Sequence, residues 1–140
     1  MLDTLAQASF YTSASTPYIY DEHNRVSVFH GINGVMKGFP WYQEDYSNDS
    51  VVKEIASWGF NSVRLGVMWS GAEPVEGEFN MTYFDILGEI VNRFNDNGIY
   101  VYLDMHQDAA STKFCMEYDG FPLWYDFIWS FYLCVYSIGL

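Results

Sequence analysis

The sequence predicts an α/β fold in which parallel strands alternate with amphipathic helices. Two observations carry this prediction: a helix-glycine-strand pattern occurs twice, around Gly59 and Gly98, and both strands consist mostly of β-branched and other apolar residues. The two glycines lie 39 positions apart (98 minus 59), which is the length of one β-loop-α unit. Parallel strands joined by helices are found both in doubly wound sheets and in (β/α)8 barrels, and periodicity does not separate the two.

The first element expected is a short β-hairpin. Two β-prone runs, 18–20 and 25–30, flank the polar turn 21–24, and the second run leads into a strand that ends at Gly31-Ile32-Asn33. We predict that residues 1–16, ahead of this hairpin, are poorly ordered, and they lack the basic and apolar regions of a secretory signal.

The two helices are predicted from spacing and caps. The first, at about 49–58, places Val51, Val52, Ile55 and Ala56 on one face, with Asn48, Asp49 and Ser50 as N-cap candidates and Gly59 as the C-terminal cap. The second, at about 82–97, has the apolar spacing Phe84, Leu87, Val91 and Phe94, between Thr82 as N-cap and Gly98. The strands 60–67 and 99–103 follow these helices.

Composition excludes several classes of partner. The chain has 140 residues, a net charge of -12 and only six Lys and Arg, so it offers no basic surface for a nucleic acid. There is no Gly-rich phosphate loop and no GxSxG elbow, and we expect no cofactor. Cys115 and Cys134 have no zinc or redox spacing, although they could pair in an oxidising compartment.

The last segment, 125–140, differs in character from the rest. It is hydrophobic, carries one charge and lacks caps and a clean period. It is too short and too interrupted by polar residues for a confident membrane span. Two interpretations remain open, an irregular buried segment and sequence foreign to the fold that residues 17–124 form.

Polar residues near strand ends are the candidates for chemistry, because active sites of parallel α/β folds lie beyond the carboxyl ends of the strands. Arg64 lies within a strand, and burying its charge requires an acidic partner, unless it forms a solvent-facing salt bridge. His106 follows the third strand, where it could hold a ligand hydroxyl or a carboxylate, or be a core histidine. Asp104, His106 and Asp108 alternate on one strand face, yet they lack the further ligands of a metal site, and we predict none.

Aromatic residues in or near the loops after the strands suit a saccharide cleft, because sugar rings stack their C–H faces on aromatic side chains. Packing residues of the same type are the alternative interpretation. The aromatic residues in question are Trp41, Tyr42, Trp69, Phe121 and Trp124.

Three motifs in order resemble glycoside hydrolase family 5 of the cellulase-like clan. They are GINGVMK at 31–37, WGFNSVRLGVMW at 58–69 and LDMHQD at 103–108, and the likeness covers about residues 26–124. Within the family, the upstream lysine and the His-Gln-Asp motif are similar to the endoglycoceramidase and glycosylceramidase branch.

The resemblance implies a retaining hydrolase on a (β/α)8 TIM barrel that cleaves glycosphingolipids or other glycosylceramides. This chain would then form the first three βα units, preceded by the short hairpin. Arg64 and His106 would support the catalytic carboxylate, and the substrate would contact Lys37, Asp108, Gln107 and Trp69. The family is secreted or lysosomal, and sequons at Asn48 and Asn80 are compatible with that location.

The sequence departs from the family at the decisive place. The family's acid/base and nucleophile are both glutamates, the first in an Asn-Glu pair, whereas only Glu117 follows the third strand here. A barrel needs about 250 residues, so we expect an inactive N-terminal fragment that self-associates through an unclosed barrel edge. The alternatives are a non-catalytic glycan- or glycolipid-binding protein and a small flavodoxin-like domain, which would require five strands.

Overall fold

The computed structural model describes residues 10–108, 120–122, 124 and 125. The chain divides into two compact units, Met1–His30 and Gly31–Leu140, each of which is described by itself below. Cys115, Glu117, Cys134 and all of the hydrophobic segment except Tyr125 lie outside the described residues.

The first unit contains a small antiparallel ladder. Strand β1 (Tyr11–Thr12) pairs with β2 (Ile19–Tyr20), and the rings of Tyr11 and Tyr20 stack across it with centroids 5.5 Å apart. The predicted run 25–30 forms no strand of its own, but its first residues pair antiparallel with β2 and the turn. Val26 bridges Tyr20, the Asp21 N–H donates to the Arg25 carbonyl at 3.0 Å, and the Ser27 N–H donates to the Ile19 carbonyl at 2.8 Å. The predicted hairpin is therefore present over 19–27, and β1 adds a pairing that was not predicted, from the segment expected to be poorly ordered.

The turn of this unit is organised by Asp21. Its carboxylate accepts the backbone N–H groups of His23 and Arg25, both at 2.9 Å, and the Arg25 side chain at 2.7 Å. These hydrogen bonds, that of the Arg25 backbone foremost, lower the pKa of Asp21. The polar turn predicted at 21–24 is present.

The second unit is built on a parallel sheet in the order β3-β4-β5. Its strands are β3 (Gly31–Gly34), β4 (Ser62–Val67) and β5 (Tyr100–Met105), and Asn33, Arg64 and Tyr102 lie side by side in the register. The predicted α/β fold with parallel strands is confirmed. Strand β5 runs two residues beyond the predicted end at Leu103, because Asp104 and Met105 pair with Gly66 and Val67.

Helices connect the strands. After a 3-10 turn (Glu44–Ser47) come α1 (Asp49–Ser57), the short α2 (Trp69–Ala72) and α3 (Met81–Asp96). Asn48 caps α1 by accepting the N–H of Ser50 at 3.0 Å. Gly59 and Gly98 have φ of 84° and 74° just after α1 and α3, the left-handed conformation expected of C-terminal caps. None of the helices described is long and apolar enough to cross a membrane.

Two details of α3 correct the predictions. The helix begins one residue earlier than expected, and its N-cap is Asn80, which accepts the N–H of Tyr83 at 3.2 Å, so that Thr82 as N-cap was wrong. Phe84 is 36% exposed. The buried stripe instead starts one residue earlier, at Tyr83, because the other buried residues follow it at spacings of four and three; they are Leu87, Ile90 and Phe94.

The core lies between the helices and one face of the sheet. Its members are Val52 and Ile55 of α1, the stripe of α3, and the sheet residues Val63, Leu65 and Ile99. Because side chains alternate along a strand, Arg64 points to the face opposite Val63 and Leu65. The helices thus cover one face of the sheet, and Arg64 belongs to the other.

Candidate functional site

Polar side chains from three adjacent parallel strands meet beyond or near the carboxyl ends of those strands. The chain leaves β3 and reaches Lys37 three residues later, Arg64 lies within β4, and Asp104 near the end of β5 precedes His106 and Asp108. The backbone N–H of His106 donates to the carbonyl of Val67 at 3.3 Å, which continues the β4-β5 ladder and fixes where His106 lies.

The outer half of this strand-end network is an ion pair joined to a histidine. Lys37 Nζ lies 2.6 Å from Asp108 Oδ2, and His106 Nε2 lies 3.1 Å from the same oxygen. Lys37 and Asp108 side chains are 48% and 49% exposed, so this end of the network is accessible to a solvent-borne ligand.

The inner half is centred on Asp104. Its Oδ2 atom lies 2.7 Å from Arg64 Nη2 and 2.9 Å from His106 Nδ1. The Arg64 and Asp104 side chains are 33% and 21% exposed, and His106 is buried between the two halves. The acidic partner that Arg64 was predicted to need is therefore Asp104, on the neighbouring strand.

The strand-end network thus contains Lys37, Arg64, Asp104, His106 and Asp108. Of the predicted site residues, the structure brings together Lys37, Arg64, His106 and Asp108. Gln107 lies between two network members in the chain and is partly buried. Their roles in binding remain predictions.

Trp69, the remaining predicted substrate contact, belongs to an aromatic cluster. Its ring centroid lies 5.5 Å from that of Phe121, 5.8 Å from that of Trp124 and 4.9 Å from that of Tyr125. The Trp69 indole N–H donates to the Glu73 carboxylate at 2.8 Å. These contacts hold Trp69 in place at the start of α2, just after β4.

The loop after β3 is tied to α3 and β4 through one buried hydroxyl. Tyr83 donates to the carbonyl of Trp41 at 3.1 Å and accepts the backbone N–H of Met68 at 3.0 Å. Burial raises the pKa of Tyr83. Trp41, which has φ of 74°, and Tyr42 are both partly buried and pack against the core.

No group of three His, Cys, Asp or Glu side chains among the described residues is arranged to hold a metal ion. The alternating trio 104, 106 and 108 does share one side of the sheet edge. However, its two carboxylates already contact the cations of Arg64 and Lys37, which compete with any divalent ion for the same oxygens.

Sequence reasoning missed the part played by two residues. Asp104 was considered only as a metal ligand, although an arginine on the adjacent strand was the signal for an ion pair. Glu73 was not singled out; its carboxylate holds Trp69 and the N–H of Gly77, and its carbonyl accepts the Trp124 indole N–H at 2.7 Å. Its position four residues after Trp69 on a helix was the available signal.

The charged and hydrogen-bonded network lies at the carboxyl ends of parallel strands, which is where barrel-type α/β proteins have their active sites. Residues 20–128 match the family Cellulase (glycosyl hydrolase family 5), and the chain belongs to this family. The resemblance stated from the three motifs is confirmed, and the fold is that of a partial (β/α)8 TIM barrel.

Curated relatives place the chain beside the endoglycoceramidases. It is 43% identical over 115 residues to the endoglycoceramidase of Cyanea nozakii and 40% identical over 115 residues to that of Hydra vulgaris. Both alignments cover 78% of this chain and 22% of the relative, so the chain spans about a fifth of the length of these relatives.

A solved endoglycoceramidase structure is also similar to this chain. The complex of endo-glycoceramidase II from Rhodococcus sp. with ganglioside GM3 superposes with a TM-score of 0.62 at 27% identity, over 76% of this chain and 26% of that one.

Proposed function

We propose that this chain forms the sugar-binding part of the active site of a retaining glycoside hydrolase that acts on glycosphingolipids. The observation that carries the proposal is the strand-end network from Lys37 to Arg64, which crosses three neighbouring strands. Support comes from the two relatives described above, which are endoglycoceramidases, and from the similar solved structure, which holds ganglioside GM3.

The outer half of the network has the chemistry that sugar hydroxyls require. A hydroxyl both donates and accepts, the Lys37 ammonium only donates, and the Asp108 carboxylate only accepts. Two neighbouring hydroxyls of one ring can therefore bond to both members of the pair. Because both side chains are about half exposed, a ligand reaches them without opening the core.

Bond cleavage needs groups other than the carboxylates of the network. A retaining glycosidase uses two carboxylates about 5 Å apart, one of which must be able to donate a proton. Asp104 and Asp108 already contact the cations of Arg64 and Lys37, and the Glu73 carboxylate is bound to Trp69 and Gly77, so all three carboxylates are engaged in contacts within the chain. We therefore propose that the 140-residue chain binds glycolipid without cleaving it.

A binding and hydrolysis assay tests this function. The chain is titrated with GM3 in detergent micelles, and released oligosaccharide is measured in parallel. We expect saturable binding that Asp108→Asn weakens about tenfold or more, since it removes a charge-assisted hydrogen bond. Asp85→Asn, on the exposed surface of α3, removes the same charge outside the network and should bind like the wild type.

Each alternative outcome has a clear meaning. Failure of the wild-type chain to bind GM3 contradicts the proposed ligand, and release of sugar contradicts the proposed need for other carboxylates. Binding without cleavage also fits a non-catalytic glycolipid-binding protein. The transcript separates these two: an Asn-Glu pair encoded beyond residue 140 supports the hydrolase, and its absence favours the binding protein.

A further inference from the structure

We propose that Asp104 is a positioning residue that holds His106 with a hydrogen on Nδ1, so that Nε2 faces the Lys37–Asp108 pair. The inference deepens the proposed function, on which it rests for the identity of the ligand. The arrangement of hydrogens, however, is a property of the ligand-free chain and can be measured without any sugar.

The contacts of Nδ1 decide its state. This atom lies 2.9 Å from Asp104 Oδ2 and 3.4 Å from Arg64 Nη2. A guanidinium can only donate and an ionised carboxylate can only accept, so Nδ1 either accepts from Arg64 or donates to Asp104. The shorter distance favours donation to Asp104, and the Arg64 group is itself bound to the same carboxylate oxygen at 2.7 Å.

The opposite ring nitrogen also faces a carboxylate. His106 Nε2 lies 3.1 Å from Asp108 Oδ2, and Lys37 Nζ lies 2.6 Å from that oxygen. A bare Nε2 would bring its lone pair against that of a carboxylate oxygen, so this contact is a hydrogen bond when Nε2 carries the hydrogen. The ring that satisfies both contacts carries a hydrogen on each nitrogen, between Asp104 on one side and Asp108 on the other.

Through His106, Asp104 can influence how a sugar is bound without contacting the sugar itself. His106 is only 9% exposed, so the ring cannot easily turn, and Asp104 and Arg64 fix it from the inner side. A sugar hydroxyl that replaces Asp108 as the partner of Nε2 would receive a charge-assisted hydrogen bond. Asp104 therefore orients the donor.

The protonation of His106 can be read by NMR on the ¹⁵N-labelled, ligand-free chain. The chain has three histidines, and a His106→Gln variant identifies the signals of His106 by their loss. We expect a protonated Nδ1 in the wild type. Because Arg64 and Nδ1 contact the same oxygen of Asp104, an asparagine could keep both contacts, so the test uses Asp104→Ala. This variant removes the shared acceptor and leaves the Arg64 guanidinium, 3.4 Å away, as the donor that faces Nδ1, so the hydrogen should leave Nδ1 and remain on Nε2.

The matched control is Asp85→Ala, an exposed change of the same kind on α3, which should leave the His106 signals unchanged. A wild-type His106 that lacks the Nδ1 hydrogen overturns the proposal, as does a folded Asp104→Ala chain with unaltered His106 signals. If Asp104→Ala does not fold, as judged by circular dichroism, the wild-type spectrum alone decides.

A GM3 titration separates this inference from the proposed function. We expect Asp104→Ala to weaken GM3 binding about 10- to 100-fold, with no change for Asp85→Ala. If the wild-type chain does not bind GM3 while Nδ1 is protonated through Asp104, the proposed function fails and the positioning role stands. Undiminished binding by Asp104→Ala, with the hydrogen moved, overturns the positioning role for the ligand.

Discussion

Lys37 and Lys53 show how the same contact can serve different purposes. Each ammonium lies 2.6 Å from an aspartate oxygen, on Asp108 and Asp49 respectively, and all four side chains are about half exposed or more. Exposed ion pairs of this kind stabilise a fold by about 0–1 kcal/mol. Folding therefore gives little reason for Lys37 to bridge the segments that follow β3 and β5, and this agrees with the proposed role of Lys37 in sugar binding.

The first prediction compares these two lysines. Lys37→Met and Lys53→Met should each change the free energy of unfolding by less than about 1 kcal/mol, measured by denaturant titration. Only Lys37→Met should weaken GM3 binding, by about tenfold or more, because it removes a charged donor from the strand-end network. Equal affinities of the two variants would mean that Lys37 does not contact the ligand.

The residues of the site were predictable to different degrees. An arginine within an apolar strand signals an acidic partner, and the strand-end rule located His106 and Asp108. The sequence could not show that Asp104 would be this partner, because that depends on the register of β5 against β4, in which Asp104 pairs with Gly66, two positions beyond Arg64.

The N-terminus of α3 offers a test at the scale of one element. Asn80 caps the helix, while Thr82 lies in its first turn. Asn80→Ala should lower the free energy of unfolding by about 0.5–2 kcal/mol, and Thr82→Ala should change it far less. Both variants remove the same glycosylation sequon, so bacterially expressed chains make a matched pair in thermal or denaturant unfolding. A larger loss for Thr82→Ala would restore Thr82 as the cap.

Tyr83 connects α3 to the loop after β3 and to the end of β4. Tyr83→Phe leaves the carbonyl of Trp41 and the N–H of Met68 without this partner, so it should destabilise the fold by about 1–3 kcal/mol in denaturant unfolding. Tyr102→Phe, at a side chain that is 54% exposed, should cost less than about 0.5 kcal/mol.

The same tyrosine predicts a dependence on alkaline pH. Burial raises the pKa of Tyr83 in the folded state above the ordinary tyrosine value of about 10, so the neutral hydroxyl is favoured by folding. The resulting stability is fully present below pH 10 and is lost as pH rises through the folded pKa. The difference in stability between the wild type and Tyr83→Phe should therefore shrink above pH 10. A constant difference would contradict this origin.

Some elements could be predicted from local sequence signals, whereas others depended on tertiary packing. Gly59 and Gly98 marked the ends of two helices because positive φ favours glycine. The two-residue strands of the first unit carry no periodic pattern, and β1 itself lies in the segment 1–16 that was predicted to be poorly ordered. At α3, Tyr83 is buried and Phe84 is exposed because of how the helix is rotated about its own axis. The spacing of apolar residues does not fix this rotation.

At the scale of the whole molecule, β5 is an edge strand of the described sheet, and it is apolar. Leu103 and Met105 are 62% and 75% exposed. Tyr102, which lies on the same face of the sheet as Arg64, is 54% exposed. An exposed apolar edge strand is a template for pairing with another chain. We therefore propose that the 140-residue chain self-associates through β5, despite the repulsion expected from its net charge of -12.

Two matched methionine-to-lysine substitutions test whether the chain self-associates through β5. Met105→Lys places a charge on β5, and Met81→Lys places the same charge at the start of α3, where the methionine is 63% exposed. By light scattering and sedimentation at rising protein concentration, the wild type and Met81→Lys should form larger species, whereas Met105→Lys should remain smaller, because a lysine on an edge strand opposes strand pairing. Self-association that Met105→Lys leaves intact would place the contact elsewhere, and a monomeric wild type would remove the proposal. If Met105→Lys also retains GM3 binding, the strand-end network and the β5 edge are independent surfaces.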